Sequence, residues 1–360
     1  MRLFQIVTVY RGYAPRLDAL TRPCPTFDAK LGAFLDDRFG AAHLLRPVLQ
    51  RDPTAFLTIG NAAALQRAWA AEQGMKPGLG PEEIVLAQIE HHRAEVLYNL
   101  APLDFGNAFL RRLPGCVRRT IAWRAAPSSH LDFFDHDLVV SNFAAIRRFY
   151  EERGARTAHF WPAHDPELDV QAAKTDRPTD ILFAGGYTQH HVRRAALLSA
   201  VAALAGRYTV AFHLDSSRLT RLAETPLGLA GPLARVRRPR SIRAVARPPL
   251  FGRALHEALG AAKIVLNGAI DMAGSERGNM RCFEALGAGC LLVSDSGSYP
   301  EGFRAGHNFL DYRDQGEAVA LLRRALENWQ ASARVAKAGH AMIVREYGKE
   351  RQWKAFQDLI

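Results

Sequence analysis

The sequence predicts an α/β chain built of two doubly wound parallel-sheet domains. Three observations lead there. Short β-branched runs alternate with longer helical stretches along most of the chain, the pattern of βαβ units. The alternation stops once, in a polar stretch beginning at Pro162, and then restarts. The 360 residues exceed what one ordinary core organises.

The elements follow in order. Strands are expected in "LFQIVTVY" from Leu3, "AEVLYNL" from Ala94, "RRTIAW" from Arg118, "DLVVS" from Asp137 and "RTAHFW" from Arg156. Residues 27–74 read as mostly helical. "PEEIVLAQIEHHR" and "NFAAIRRFYEERG" read as helices, the second with Asn142 as N-cap and Gly154 as C-cap. "PAHDPELDVQAAKTDRPTD" holds three prolines and no periodicity, which marks a linker. The expected domains are therefore residues 1–168 and 177–344. A last helix within 345–360 is expected to pack back on the first domain through Trp353, Phe356 and Leu359.

In the second half, strands are expected at "DILFAGG" from Asp180, "YTVAFHL", "AKIVLN" from Ala262, "CLLVSD" from Cys290 and "NFLDY" from Asn308. The tail from Gln315 reads as helical, broken near Gly339 and Gly348. Ligands of open parallel sheets bind at the carboxyl ends of the strands, so two facing sheets enclose a cleft.

Composition narrows the partners. The formal net charge is +11, which favours anionic partners such as phosphorylated substrates, nucleic acid or acidic lipid. No apolar run is long enough to span a bilayer, and the start lacks a signal peptide's long apolar region and cleavage site. A cytoplasmic location follows as the expectation. The four cysteines form no C-x-x-C and no zinc-like spacing, so neither a disulfide framework nor a structural metal is expected.

The stretch "SERGNMRCFEALGAGCLLVSDSG" carries the chemistry. It reads as a helix from about Asn279, ended by Gly287 or Gly289, running into an apolar strand. A helix N-terminus carries unpaired N–H groups and partial positive charge, a natural seat for phosphate. Glu284 lies about one and a half turns inside, too deep for that phosphate but placed to accept two hydrogen bonds from a vicinal diol such as ribose. Glu276 lies in the preceding loop, "MAGSERGN", and reaches a group on the other side of the phosphates. Ribose, diphosphate and sugar are the parts of a nucleotide-sugar.

With "IVLN" upstream and "NFLDYRD" downstream, this stretch resembles the group-1 glycosyltransferases, and most of all the branch grouped with the spore-maturation CgeB-like proteins. The E-x7-E spacing is similar to that of retaining members. The resemblance implies a GT-B fold, two Rossmann-like domains facing a central cleft, the first holding the acceptor and the second the donor. It implies that Glu276 contacts the donor sugar and Glu284 the ribose. "DILFAGGYTQHHVRRAALL" resembles the start of the family's donor domain, which assigns Gly185, Gly186 and Tyr187 to the donor loop and Arg193 or Arg194 to the diphosphate. Asn267, Arg277, Gly278, Asn279, Met280 and Arg281 complete the donor side. "TIAWRAAPSSHLDFFDHDLVVSNFAAIRRFYEERGARTAHFWPAHDPEL" resembles the end of the acceptor domain and the crossover. His130, in that stretch, is a candidate catalytic residue, and Tyr10, Arg11 and Gly12, after the first strand, fall on the acceptor side.

The function implied is transfer of a hexose from a nucleoside-diphosphate sugar to a hydroxyl of a surface glycan, lipid-linked saccharide or protein. Retention of configuration is expected, with no metal and no cofactor beyond the donor. In a retaining reaction the leaving phosphate takes the acceptor proton; an inverting one needs a base, with His130 or Asp132 nearest. Two alternatives stand beside this. A nucleotide-sugar epimerase of the same fold keeps the donor site without an acceptor. A basic nucleic-acid or anionic-surface binder explains the charge, although no nucleic-acid motif is present and no specific nucleic acid is expected.

Other features read more plainly. Asp135-His136-Asp137 is a D-x-D, but it leads straight into "LVVS" and is taken as a loop before a strand. His91 and His92 end an amphipathic run. His164 and Asp165 are expected at the hinge. The run from Arg235 to Arg253 holds seven arginines and no acid and reads as a solvated, partly disordered loop. Its sharper reading is peripheral contact with an anionic membrane or glycan at the inner face of the membrane.

Overall fold

The computed structural model describes residues 1–360 except 189–190, 230 and 269–273. Gln189 and His190 of the glycine loop, and Met272 and Ala273 of the loop before Glu276, lie outside the described residues. The chain divides into two compact units: Met1–Pro162 together with Lys349–Ile360, and Ala163–Gly348.

The first unit begins with β1 (Leu3–Val7), α1 (Ala14–Thr21), α2 (Phe27–Asp37), α3 (Arg46–Leu49) and β2 (Ala55–Ile59). It continues through α4 (Ala63–Glu72), α5 (Pro81–His92), β3 (Val96–Asn99), α6 (Asn107–Leu110) and β4 (Arg119–Trp123). β5 (Leu138–Ser141), α7 (Ala144–Glu151) and β6 (Thr157–His159) complete its main body. The strands form one parallel sheet in the order β2-β1-β3-β4-β5-β6. β1 is buried along its whole length, as expected where helices cover both faces of a parallel sheet.

Two expectations are refined here. Residues 27–74 are mostly helical as expected, but they also contain β2, an edge strand in the sheet that the reading did not separate out. Its five residues, AFLTI, are too short to show a period, and only the turn residues Pro53 and Gly60 around them mark a strand. Helix α7 begins one residue later than expected, with Phe143 rather than Asn142 at the N-cap position.

The second unit opens with α8 (Asp169–Ala172), β7 (Thr179–Gly185), α9 (Val192–Ala202), β8 (Val210–Leu214) and α10 (Arg218–Ala223). Then come α11 (Arg240–Val245), β9 (Ala246–Arg247), α12 (Gly252–Gly260), β10 (Ala262–Leu266) and α13 (Met280–Gly287). It ends with β11 (Leu291–Asp295), β12 (Leu310–Tyr312), α14 (Gln315–Glu327) and α15 (Trp329–Tyr347). All its strands are parallel, in the order β12-β11-β10-β7-β8-β9. Successive strands run outward one way from β7 and the other way from β10. The order therefore reverses between β7 and β10, the topological switch point at which such sheets bind ligands.

Three further readings change. The tail breaks at Asn328, between α14 and α15, and not at Gly339. Gly339 lies inside α15 because a Cβ there would come within 2.4 Å of the Asn308 carbonyl oxygen. The arginine run is ordered. It contains α11, whose Ile242 and Val245 are buried, and a short edge strand, β9. Arg238 is buried in an ion pair with Glu224, its Nη2 donating to Oε2 at 2.8 Å. The linker residues 163–178 belong to the second unit, where Arg177 is buried and donates to several backbone carbonyls.

The last helix, α16 (Lys349–Gln357), is part of the first unit. Residues 345–347 still belong to α15, so this helix starts at Lys349. The Phe356 ring packs against Tyr98 and Phe160, with centroids 4.9 and 5.7 Å apart. Lys349 is buried, and its Nζ donates to the carbonyls of Ala41, Ala42 and Leu44 at 2.7, 3.1 and 2.8 Å. An ammonium that completes three carbonyls costs little while every donor is used, and much when it is removed. Lys349→Met is expected to destabilise the first unit by about 2–4 kcal/mol. Lys354→Met, on the exposed side of the same helix, should change it by less than about 0.5 kcal/mol in the same denaturant titration.

Candidate functional site

The candidate site is built at the switch point of the second unit. β7 ends in Gly185 and is followed by Gly186 and Tyr187; β10 ends at Leu266 and is followed by Asn267 and Gly268. Tyr187 packs partly against the unit's core, which anchors the turn after β7. Arg194, in the first turn of α9, donates through Nη2 to the Gly268 carbonyl and so joins the two strand ends. Arg193 is exposed on α9. Of the two arginines, the structure places Arg194 next to the carboxyl end of β10.

A small polar network positions the start of α13. Asn267 is buried; its Nδ2 donates to Ser294 Oγ at 3.0 Å, and its carbonyl accepts from Tyr312 Oη at 2.6 Å. Burial is the main cause that raises the Tyr312 pKa, so the phenol keeps its proton and remains a donor. Asn279 is the N-cap residue of α13, but its side chain makes no capping bond and instead donates to Asn267 Oδ1 at 3.2 Å. The N-cap side chain thus does not cap the first turn of α13, where the helix dipole favours an anion.

The loop before α13 is fixed from the other side. Glu276 bridges to Ser298 in a parallel pair, with Arg277 N–H donating to the Ser298 carbonyl at 2.8 Å. The Arg277 guanidinium forms an ion pair with Asp295 at 2.6 Å, at the end of β11. Gly278 adopts φ +103° and lies against Pro300, where a Cβ would come within 2.6 Å of the ring. Only glycine takes that backbone without strain, and it turns the chain from the Glu276 bridge into α13.

Glu284 is buried in the middle of α13, with 8% of its surface exposed. Arg281, one turn earlier, donates to its Oε2 at 2.6 Å. A carboxylate that receives one donor on one oxygen keeps acceptor capacity on the other. Met280 is the first residue of the same helix. Cys282, beside Asn267, is pushed up to about 12 by burial and is inert as a nucleophile. On the other side of β7, His213 at the end of β8 bonds through Nδ1 to the Pro248 carbonyl at 2.7 Å. Burial is the main cause lowering its pKa, so the ring is neutral near pH 7.

The structure thus gathers Gly185, Gly186, Arg194, Asn267, Asn279, Arg281 and Glu284 around the ends of β7 and β10, with Glu276, Arg277 and Gly278 in the adjoining loop. The remaining candidates lie in the first unit. Tyr10, Arg11 and Gly12 form the exposed turn after β1, with the Tyr10 ring edge-on to Phe39. His130 is in an exposed loop, its backbone N–H bonded to Ser128 Oγ at 3.1 Å. The D-x-D is structural: Thr120 donates to Asp137 through both N–H and Oγ1, and buried His136 contacts Asn99 and the Phe133 carbonyl.

The sequence reading missed Ser294, Asp295, Ser298 and Tyr312. The signal was present in "SDSGSYP" and "NFLDY": polar residues at two strand ends that share one sheet edge with the site.

Two six-stranded parallel sheets with flanking helices, the second carrying a site at its switch point, define a GT-B architecture. Comparison with known proteins agrees. Residues 193–358 match the family model described as "Glycosyl transferase-like". The structure is similar to that of Anabaena HepE in complex with UDP-glucose, with TM-score 0.61 and 13% identity, covering 100% of this chain and 99% of that one. It is also similar to a glycosyltransferase from Rickettsia africae, with TM-score 0.57 and 9% identity over 99% of this chain and 97% of that one. Sucrose-phosphate synthase from Thermosynechococcus elongatus gives TM-score 0.57 and 10% identity, over 100% and 98%. No curated protein sequence matches significantly. At these identities the likeness establishes the fold, which is GT-B. Among the described residues, no helix is long and apolar enough to cross a membrane.

Proposed function

We propose that this protein is a glycosyltransferase that moves a hexose from a nucleoside-diphosphate sugar to a hydroxyl acceptor. One observation carries the reading. A buried, arginine-paired glutamate, Glu284, lies inside a helix whose N-cap side chain is turned away and whose N-terminus opens beside the switch point of a parallel sheet. That layout offers one subsite for a diol and one for a diphosphate. The complexes of HepE with UDP and glucose support a uridine donor.

In the proposed mechanism, the second oxygen of Glu284 accepts from the ribose hydroxyls. The first turn of α13 receives the diphosphate, together with a guanidinium. Arg194 fits that role better than Arg193, because it already reaches the end of β10. These groups stabilise the charge that grows on the departing diphosphate, usually the largest single catalytic contribution. Glu276 orients the sugar. The bond from the anomeric carbon to the phosphate oxygen breaks as the acceptor oxygen bonds to that carbon. The acceptor proton passes to the leaving diphosphate, with retention of configuration. The positive charge at the diphosphate then comes from the chain itself, and no metal is required. The acceptor, a glycan, lipid-linked saccharide or protein hydroxyl, is bound by the first unit, with Tyr10 to Gly12 and His130 as its candidates.

Calorimetry with UDP, GDP, TDP, ADP and CMP tests this. One nucleoside diphosphate should bind with equal affinity in the presence and absence of EDTA, and its base names the donor. Binding that vanishes with EDTA would overturn the metal-independent mechanism. Absence of binding by all five would overturn the donor site.

A further inference from the structure

We propose that His164, Asp169 and His340 form a site for a divalent transition cation of the zinc type, separate from the donor site. The Nε2 atoms of both histidines converge on the same carboxylate oxygen, Asp169 Oδ1, at 2.9 and 3.0 Å. Their rings are nearly perpendicular, 89°, with centroids 5.9 Å apart. The three ligand atoms all lie within 4.8 Å of one another. Zinc binds nitrogen and oxygen at about 2.0–2.2 Å with tetrahedral angles, which places its ligand atoms roughly 3.3–3.6 Å apart. The two distances to Asp169 Oδ1 must open by about half an ångström, and the two histidine nitrogens must close to the same spacing by rotamer adjustment of His340, on the wetter side of the cluster.

Donor chemistry selects the metal. Two imidazoles and one carboxylate suit zinc, cobalt or nickel, whereas calcium and magnesium need more oxygens than this cluster supplies. His164 is almost fully buried, which fixes one ligand; the Asp169 side chain is 47% exposed, which leaves solvent access for a fourth ligand, water. A ligating histidine carries its proton on the other ring nitrogen. His164 Nδ1 faces the last turn of α13, where a Cβ on Gly287 would lie within 2.7 Å of it. Nδ1 is buried with no hydrogen-bond partner among the described residues, so its proton has only the partly negative end of the helix beside it.

The location gives the site its role. The His164 N–H donates to the Tyr347 carbonyl at 2.8 Å, so the first residues of the second unit lie against its last. Asp169 opens α8, and His340 sits two turns before the end of α15. A cation here ties the segment that opens the unit to the helix that closes it, beside both points where the chain passes between units. The donor-site end of α13 is its N-terminus, about 12 Å away along an eight-residue helix.

The test uses tag-free full-length protein stripped with chelator. Zn²⁺ should bind with one-to-one stoichiometry and raise the Tm by roughly 5 °C at a hundredfold excess over Kd. Co²⁺ should give the visible absorption of a tetrahedral site. His340→Ala and Asp169→Asn, both at positions with solvent access, should each weaken Zn²⁺ binding at least tenfold and abolish the cobalt spectrum, with unchanged far-UV circular dichroism. Mg²⁺ and Ca²⁺ should leave the Tm unchanged. Zn²⁺ binding of equal affinity in both variants, or none in the wild type, would overturn the site. Nucleotide calorimetry in EDTA is read independently, so loss of one result leaves the other standing.

Discussion

Glu284→Gln is expected to weaken binding of the preferred nucleoside diphosphate by roughly ten- to a hundredfold. Hydrogen bonds to a charged group contribute about 1.5–3 kcal/mol, which corresponds to that range. Glutamine keeps the size of the side chain but replaces one carboxylate oxygen with an NH₂ group, which cannot accept from a ribose hydroxyl. It also removes the charge that holds Arg281, bonded to Glu284 at 2.6 Å. Loosening of Arg281 is therefore part of the expected effect, and Arg281→Met measures it alone. If Glu284 contacts the diol directly, Glu284→Gln should cost more than Arg281→Met and discriminate less between UDP and its 2′-deoxy analogue. If Glu284 only positions the arginine, the two variants should match, and the deoxy analogue should lose as much in the variant as in the wild type. The measurement is calorimetry at fixed ionic strength, with melting curves for both variants. An affinity within twofold of wild type for Glu284→Gln would remove this residue from the site.

The geometry of the candidate site was legible in sequence because its parts lie close together along the chain. Residues 275–297 hold the loop, the helix start, the buried glutamate and the following strand in order. A reader needs only the helical period and the glycines to place Glu284 one and a half turns inside. The strand β2 was not legible for the opposite reason: five residues, four of them apolar, between helical stretches show no period of their own. Arginine-rich segments also misled. Seven arginines without an acid suggested solvation, yet Arg238 meets Glu224, fourteen positions upstream, and α11 buries two aliphatic side chains. A charge run is judged from its own neighbourhood in sequence, whereas its partner comes from elsewhere in the fold. The same holds at the site. Arg277 finds Asp295, and Asn279 finds Asn267, through contacts that no local pattern announces. The choice between Arg193 and Arg194 was open in sequence because adjacent helical residues point about 100° apart. Only the position of Gly268 separates them.

The largest stability effect should come from Arg177, a residue whose sequence context reads as linker. Arg177→Leu is expected to destabilise the second unit by about 3–5 kcal/mol and lower its Tm by roughly 10 °C. The guanidinium is buried and donates to the carbonyls of Gln171 at 3.1 Å, Leu259 at 3.3 Å, Ala262 at 2.8 Å and Ala288 at 2.9 Å. Gln171 lies in α8, Leu259 in the last turn of α12, and Ala288 is the C-cap of α13. One cation thus completes the carboxyl ends of three helices, each with carbonyls lacking an intrahelical partner and with partial negative charge. Leucine supplies the volume without a donor, so several buried carbonyls lose their partner together. Lysine keeps the charge but cannot fork to both sides, and Arg177→Lys should recover only part of the loss. The readout is thermal and urea unfolding of the full chain, with the second unit followed through nucleotide protection. A Tm within 2 °C of wild type for Arg177→Leu would mean that water replaces the guanidinium at these helix ends. In that case the segment 163–178 is held to the second unit by its other contacts, among them the bond from the His164 N–H to the Tyr347 carbonyl and that between His340 and Asp169.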